Sequence, residues 1–250
     1  MTKRSVSVSV AVALFLAPSC LVAQNRVPAG TILPVQLNSS VRSDKSRPGQ
    51  QISARIMQDV PLPGKTTIRA GEKVIGRVLA VEAAREGGPA EVSLIFDTLL
   101  EGKQHIPLTT NLRALASMMD VSEAQVPETG PDRGTSEANW TTEQIGGDVV
   151  YRGGVVSNGS QIVGLSVLDS GVMARVSSRP GMKCRASVDD NDRPQAVWVF
   201  SSDACGVYGI DELVLVHAGR TDPVGQITVR STKGNINIRA GSGMLLRVSG

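Results

Sequence analysis

The chain has 250 residues, of which 41% are apolar, 20% charged and 3% aromatic, with 26 basic against 23 acidic side chains. That balance excludes a disordered chain, a coiled coil and a polytopic membrane protein, and it supplies no basic face for nucleic acid. With 32 valines and 26 glycines, the expected fold is all-β, many short strands joined by turns.

Lys3 and Arg4 open the chain, Val6 to Leu16 form an apolar run, and Leu21-Val22-Ala23 follow Pro18 and Ser19. This three-part layout is that of a secretory signal peptide over residues 1–23, with cleavage after Ala23. The run is too short to span a bilayer, and no later one is longer. Cys20 raises a lipid-anchored alternative, but Ala17, Pro18 and Ser19 match such a signal poorly. The mature chain is expected to be periplasmic or secreted, with outer-membrane association left open. Its net charge falls to +1 once Lys3 and Arg4 are removed.

Residues 24–118 read as a barrel- or sandwich-like domain. Strands are expected at Thr31–Leu37, Gln51–Val60, Lys73–Val81, Glu91–Leu100 and Gln104–Leu112, with turns at Pro61, Pro63 and Gly64 and at Gly87-Gly88-Pro89. Ile52, Ala54 and Ile56 share one face; so do Val92, Leu94, Phe96 and Thr98. Leu112 to Met119 has room for one or two helical turns. Ala29-Gly30, Ala70-Gly71 and Ala240-Gly241 each precede an apolar strand, an echo best explained by one shared turn.

Residues 119–148 are polar and without apolar period, a linker or surface excursion in which Trp140 stands alone. Residues 149–250 return to strands: Val149–Tyr151, Gln161–Val167, Gly171–Val176, Ala196–Phe200, Leu213–His217, Gln226–Arg230, Asn235–Ile238 and Met244–Val248. They read as a second β-rich domain. Trp198 and Phe200 fall on one face of their segment and Val197 and Val199 on the other, as in a buried central strand.

The block from Pro28 to Thr109 has a recognisable order. Pro28-Ala29-Gly30-Thr31 opens it, Pro48-Gly49-Gln50 precedes Ile52 and the Asp59-Val60 pair, Ile68-Arg69-Ala70-Gly71 leads to Val74-Ile75-Gly76-Arg77-Val78, and Leu94 to Leu99 with Ile106-Pro107-Leu108 close it. It resembles the periplasmic β-barrel of the conjugation-channel scaffold proteins of type IV secretion. The resemblance implies a barrel and a place in a secretion channel. It departs from that family in having a signal peptide where the family keeps an inner-membrane helix. Residues 119–148 also lack the amphipathic pair that forms the family's pore. The remainder resembles secreted bacterial proteins of unassigned role.

Tests for chemistry give little. Removing Cys20 leaves Cys184 and Cys205, an even pair in an oxidising compartment, read as a disulfide closing a loop of about 20 residues worth roughly 3 kcal/mol. The alternative makes Cys205 a nucleophile with His217 as base and Asp203, Asp211 or Asp222 as its orienting group. That would be a cysteine-dependent enzyme acting on cell-wall or extracellular polymer. Asp189, Asp190 and Asp192 offer oxygen ligands for calcium, but without the glycine and distant glutamate of a helix-loop-helix site they read as a solvated turn. His105 and His217 have no neighbouring ligands at zinc spacing. No cofactor is expected. The leading expectation is a non-enzymatic module that binds or scaffolds an envelope protein or polymer.

Overall fold

The computed structural model describes residues 26–125, 145, 197–201 and 204–249, together with the backbone of the short strands between 141 and 174. In chain order the first strands are β1 (Ile32–Leu37), β2 (Val41–Arg42), β3 (Gln51–Ile56), β4 (Val60–Pro61), β5 (Thr67–Ile68), β6 (Lys73–Glu82), β7 (Ala90–Glu101), β8 (Gln104–Pro107) and β9 (Thr110–Ala116). Helix α1 (Met118–Ala124) follows. Then come β10 (Thr141–Glu143), β11 (Val149–Tyr151), β12 (Val156–Asn158), β13 (Gln161–Gly164), β14 (Ser166–Val167) and β15 (Gly171–Ala174). The last are β16 (Gly206–Tyr208), β17 (Leu213–His217), β18 (Ile227–Ser231), β19 (Asn237–Ile238) and β20 (Gly243–Val248). Among the described residues the fold is all-β apart from α1 and one 3-10 turn at Pro63–Lys65. Among the described residues no helix is long and apolar enough to cross a membrane.

Ten strands form one sheet, in the order β16-β9-β20-β1-β3-β6-β7-β18-β17, with β8 added to β7. Every neighbour is antiparallel except β16, which runs parallel to β9. The two ends of this order are consecutive in the chain and approach one another. The Leu112 N–H donates to the Ala218 carbonyl at 2.8 Å, and Val207 of β16 and Leu215 of β17 both pack against the same core. The result is a nearly closed barrel.

The alternation that suggested the strands fills its interior. Leu33, Val35 and Leu37 of β1 point inward with Ile52, Ala54 and Ile56 of β3, Val74 and Val78 of β6, and Val92, Leu94 and Phe96 of β7. At Thr98 the expected parity fails. Ile75 pairs with Thr98 but Gly76 with Phe96, so Asp97 is an extra residue and Leu99 takes the next inward place.

The regions 24–118 and 149–250 do not make two separate sheets. β20 pairs with both β1 and β9, and β18 pairs with β7, so the last strands of the chain complete the barrel begun by the first. The expected strand Gln104–Leu112 is two: β8 pairs with β7, the Leu108 N–H to Asp97 carbonyl bond at 2.8 Å continues that ladder, and from Thr110 the chain pairs with β20 as β9. The stretch Leu112 to Met119 stays extended to Ala116, and the helix begins at Met118. β10, β11, β15 and β14 form a small sheet of their own, and β12 pairs with β13.

The Ala-Gly echo is one turn used three times. Gly30, Gly71 and Gly241 have φ of 90°, 96° and 91°. Thr31, Glu72 and Ser242 donate back to Pro28, Arg69 and Arg239 at 3.2, 3.2 and 3.1 Å. Each is a type II turn with glycine at its positive-φ position. The Gly30 N–H then bonds Val248, Gly71 bonds Ile56 and Gly241 bonds Leu37, each at 2.8 Å. Since β1 pairs with β20, the first and third turns lock opposite ends of the same strand pair.

Candidate functional site

The outer face of β1, β20 and β9 carries a second apolar layer. Outward residues Ile32, Ala114, Ala116 and Leu245 meet Val121 and Ala124 of α1, Ile145, and the segment Val197–Phe200. This layer fixes the chain on both sides of the 72 residues between Ala124 and Val197.

Local sequence explains each anchor. Ser117 caps α1 by accepting the Asp120 N–H on its Oγ at 3.0 Å. The Ser-x-x-Asp spacing is a start signal that a reading of 119–148 as polar linker passes over. Val121 and Ala124 lie one turn apart and are buried, so the start of that stretch is amphipathic. The expected strand Ala196–Phe200 is instead a tight turn over its described residues. The Val197 and Phe200 N–H groups donate to each other's carbonyls at 3.0 Å, and Trp198 has φ of 58°. Burial of Trp198 and Phe200 was rightly expected, but a turn, not a central strand, delivers them. Their rings meet edge to face at 6.2 Å and 63°. The Trp198 N–H donates to Gln58 Oε1 at 2.6 Å, and Ile145 bridges to Val199 and Ser201 at 2.8 and 2.9 Å.

Gly243 lets this layer sit down on β20. A Cβ there would fall 2.9 Å from Val121 Cγ2, 3.0 Å from Trp198 Cζ3 and 3.2 Å from Phe200 Cε2. The bulge in β9 places Arg113 beside the layer. Leu246 pairs with Leu112 and Leu245 with Ala114, leaving Arg113 as the extra residue, buried, with its Nε donating to the Ala204 carbonyl at 3.1 Å.

Of the residues singled out for chemistry, Cys205, His105, His217, Asp211 and Asp222 are described. Cys184, Asp189, Asp190, Asp192, Asp203 and Trp140 lie outside the described residues. Cys205 precedes β16 and its N–H donates to the Tyr208 hydroxyl at 2.8 Å. The ring nitrogens of His217 contact the Gln226 carbonyl, the Gly219 N–H and Thr221 Oγ1. These contacts come from its own loop, and the structure makes no hydrogen bond from the ring to Cys205. His105 lies on β8 and is exposed. Among the described residues no three His, Cys, Asp or Glu side chains gather at metal-binding distance.

Elsewhere on the described surface four ion pairs stand out. Arg230 binds Glu91 at 2.7 Å, Arg69 binds Asp59 at 2.7 Å, Arg42 binds Asp44 at 2.9 Å, and Arg77 binds Asp97. The Ala70 N–H, then the Arg69 guanidinium, hold the Asp59 carboxyl below the usual carboxylate range, and the Arg42 guanidinium does the same for Asp44. The large apolar side chains left exposed among the described residues are Met119, Val214, Val216 and Val224. The last three lie on β17 and the loop after it. No family model matches this chain, and no curated protein matches it.

Proposed function

We propose that the chain is an exported, non-enzymatic envelope or surface module that works by binding or scaffolding. The barrel is the rigid base, and the segment between Ala124 and Val197 is the part it presents. One observation carries this reading: α1 and the Trp198–Phe200 turn pin both sides of that segment to the same outer face of the barrel. Function concentrates on excursions that a rigid scaffold positions. Export rests on the layout of residues 1–23, and the near-neutral charge favours an envelope protein or polymer over nucleic acid as partner. The Cys184–Cys205 staple belongs to the same proposal. It is supported by the even pair of cysteines that signal cleavage would leave in an oxidising compartment.

A second reading, a component of a secretion channel, draws support from the resemblance block. Its residues supply β1, β3, β6 and β7, four adjacent strands of the barrel.

The test compares the full chain with a variant whose residues 126–196 are replaced by a short Gly-Ser linker. The full chain should sediment with the isolated envelope fraction of its host, and the shortened one should stay in solution while still unfolding cooperatively. Equal sedimentation of the two would refute presentation by the segment. Under denaturing, non-reducing conditions no free thiol should be found in the mature chain. Two free thiols would remove the staple and return Cys205 to candidacy as a nucleophile. Co-isolation in a large outer-membrane complex would favour the channel reading.

A further inference from the structure

The loop from His217 to Gln226 folds around one imidazole. Nδ1 of His217 lies 2.7 Å from the Gln226 carbonyl oxygen and 2.9 Å from the Gly219 nitrogen, and Nε2 lies 3.2 Å from Thr221 Oγ1. The two demands on Nδ1 conflict. The Gly219 N–H needs a lone pair there, whereas the Gln226 carbonyl needs a proton. A neutral ring protonated on Nε2 serves Gly219 and Thr221 and turns a lone pair toward Gln226. An imidazolium serves Gln226 and Thr221 and strands the Gly219 N–H. Imidazole is the side chain that changes charge between about pH 5 and pH 8.

Both contacts are tied to the barrel. Gly219 follows Ala218, whose carbonyl takes the Leu112 N–H across the seam between β17 and β9. Gly219 is itself wedged in place, since a Cβ there would fall 2.9 Å from the Thr110 carbonyl oxygen and 3.0 Å from that of Gln226. Gln226 extends its amide to Ser93 Oγ and Thr228 Oγ1 at 3.2 Å each, reaching β7 and β18. The loop also carries exposed Val224, and exposed Val216 precedes His217 on β17.

We propose that His217 is a pH-dependent pin at the barrel seam. The neutral ring holds Gly219 and with it the Ala218–Leu112 bond. The charged ring moves its hold to Gln226 and loosens that end of the seam, changing how Val216 and Val224 are presented. The charged groups on the surrounding elements are Arg220 and Asp222 on the loop and Arg230 of β18 with its partner Glu91 of β7. Asp97 of β7 is bound by Arg77, Glu101 ends β7, and Arg113 of β9 is bound to Ala204. None of them hydrogen-bonds the ring. The inference rests on the loop geometry and holds whatever the module binds.

The test is NMR on the isotope-labelled mature chain, wild type and His217→Gln, from pH 5 to pH 8. In wild type the neutral ring should carry its proton on Nε2. As the ring charges, protection of the Gly219 amide, corrected for intrinsic exchange, should fall about tenfold, the worth of one net hydrogen bond. Leu112 should follow it, and both should stay flat in His217→Gln. A neutral ring protonated on Nδ1 would overturn the proposal, as would constant Gly219 and Leu112 protection while the ring charges. The ring reading needs no variant, so it stands even if His217→Gln does not fold.

Discussion

Replacing Gly243 by alanine tests the outer layer at its tightest point. The residue pairs with Gln36 of β1 and Ala116 of β9. Its φ is not positive, so alanine meets no backbone strain and recovers roughly 0.5–1 kcal/mol of strand entropy. Against that stand three close contacts, to Val121, Trp198 and Phe200. These three side chains are 1%, 4% and 0% exposed, so none has room to swing away. Overpacking of this kind costs about 1–3 kcal/mol. The net expectation is a loss of up to about 2.5 kcal/mol, or a melting temperature lower by up to roughly 10 °C for a chain of this size. The assay is urea and thermal unfolding followed by Trp198 fluorescence in a Trp140→Phe background. Adding Val121→Ala removes the one methyl among the three close contacts, so the double variant should be less destabilised than the two single losses combined, by about 0.5 kcal/mol or more. Gly243→Ala as stable as the parent, with strictly additive behaviour, would refute the seating of this layer on β20.

Three further outcomes are expected. Gly71 has φ of 96° and open space around it, so Gly71→Ala should lose only the left-handed backbone cost of about 1–2 kcal/mol. Gly241→Ala adds a contact with Met118 Cγ at 2.8 Å and should lose more; equal urea midpoints would deny the packing of Met118 on that turn. Asp59 is held below its ordinary value of 3.8, so its contribution is complete above that pH and disappears as pH falls through the lower folded-state value. Asp59→Asn should therefore flatten part of the acid-side decline in urea midpoint, and a decline parallel to wild type would contradict this. Ser117→Ala removes the cap of α1 and should cost about 1 kcal/mol, measured as a shift in urea midpoint; no shift would mean that α1 does not depend on its cap.

What the sequence revealed and what it concealed divide along physical lines. Alternation exposed β3, β6 and β7, because a half-buried strand must place apolar residues at every second position. The Ala-Gly echo was legible because a type II turn needs a positive φ that glycine adopts freely. The pairing of β20 with β1 was not legible. Strand register carries no local mark when its partner lies some 200 residues away. The bulges at Asp97 and Arg113 were hidden for the same reason, since each is defined only by what lies opposite. Burial of Trp198 followed from its chemistry, but its left-handed turn has no signature in a run of Val-Trp-Val-Phe. The cap of α1 was visible as Ser117 and Asp120 and was masked by the polar residues that follow. For the site, His217 drew attention as a base for Cys205. Its partners Gly219, Thr221 and Gln226 became apparent only once the loop was seen to close on it.

The central claim is that both ends of the chain build one barrel whose outer face anchors the intervening segment. Cross-strand Hα contacts between β1 and β20 test it most directly, read by nuclear Overhauser spectroscopy on the labelled mature chain. The pairing of Leu33 with Leu246, Pro34 with Leu245 and Val35 with Met244 predicts short Hα–Hα contacts at its non-hydrogen-bonded positions, with amides on both strands protected together. Contacts from β20 only to strands after residue 148, with none to β1, would contradict it.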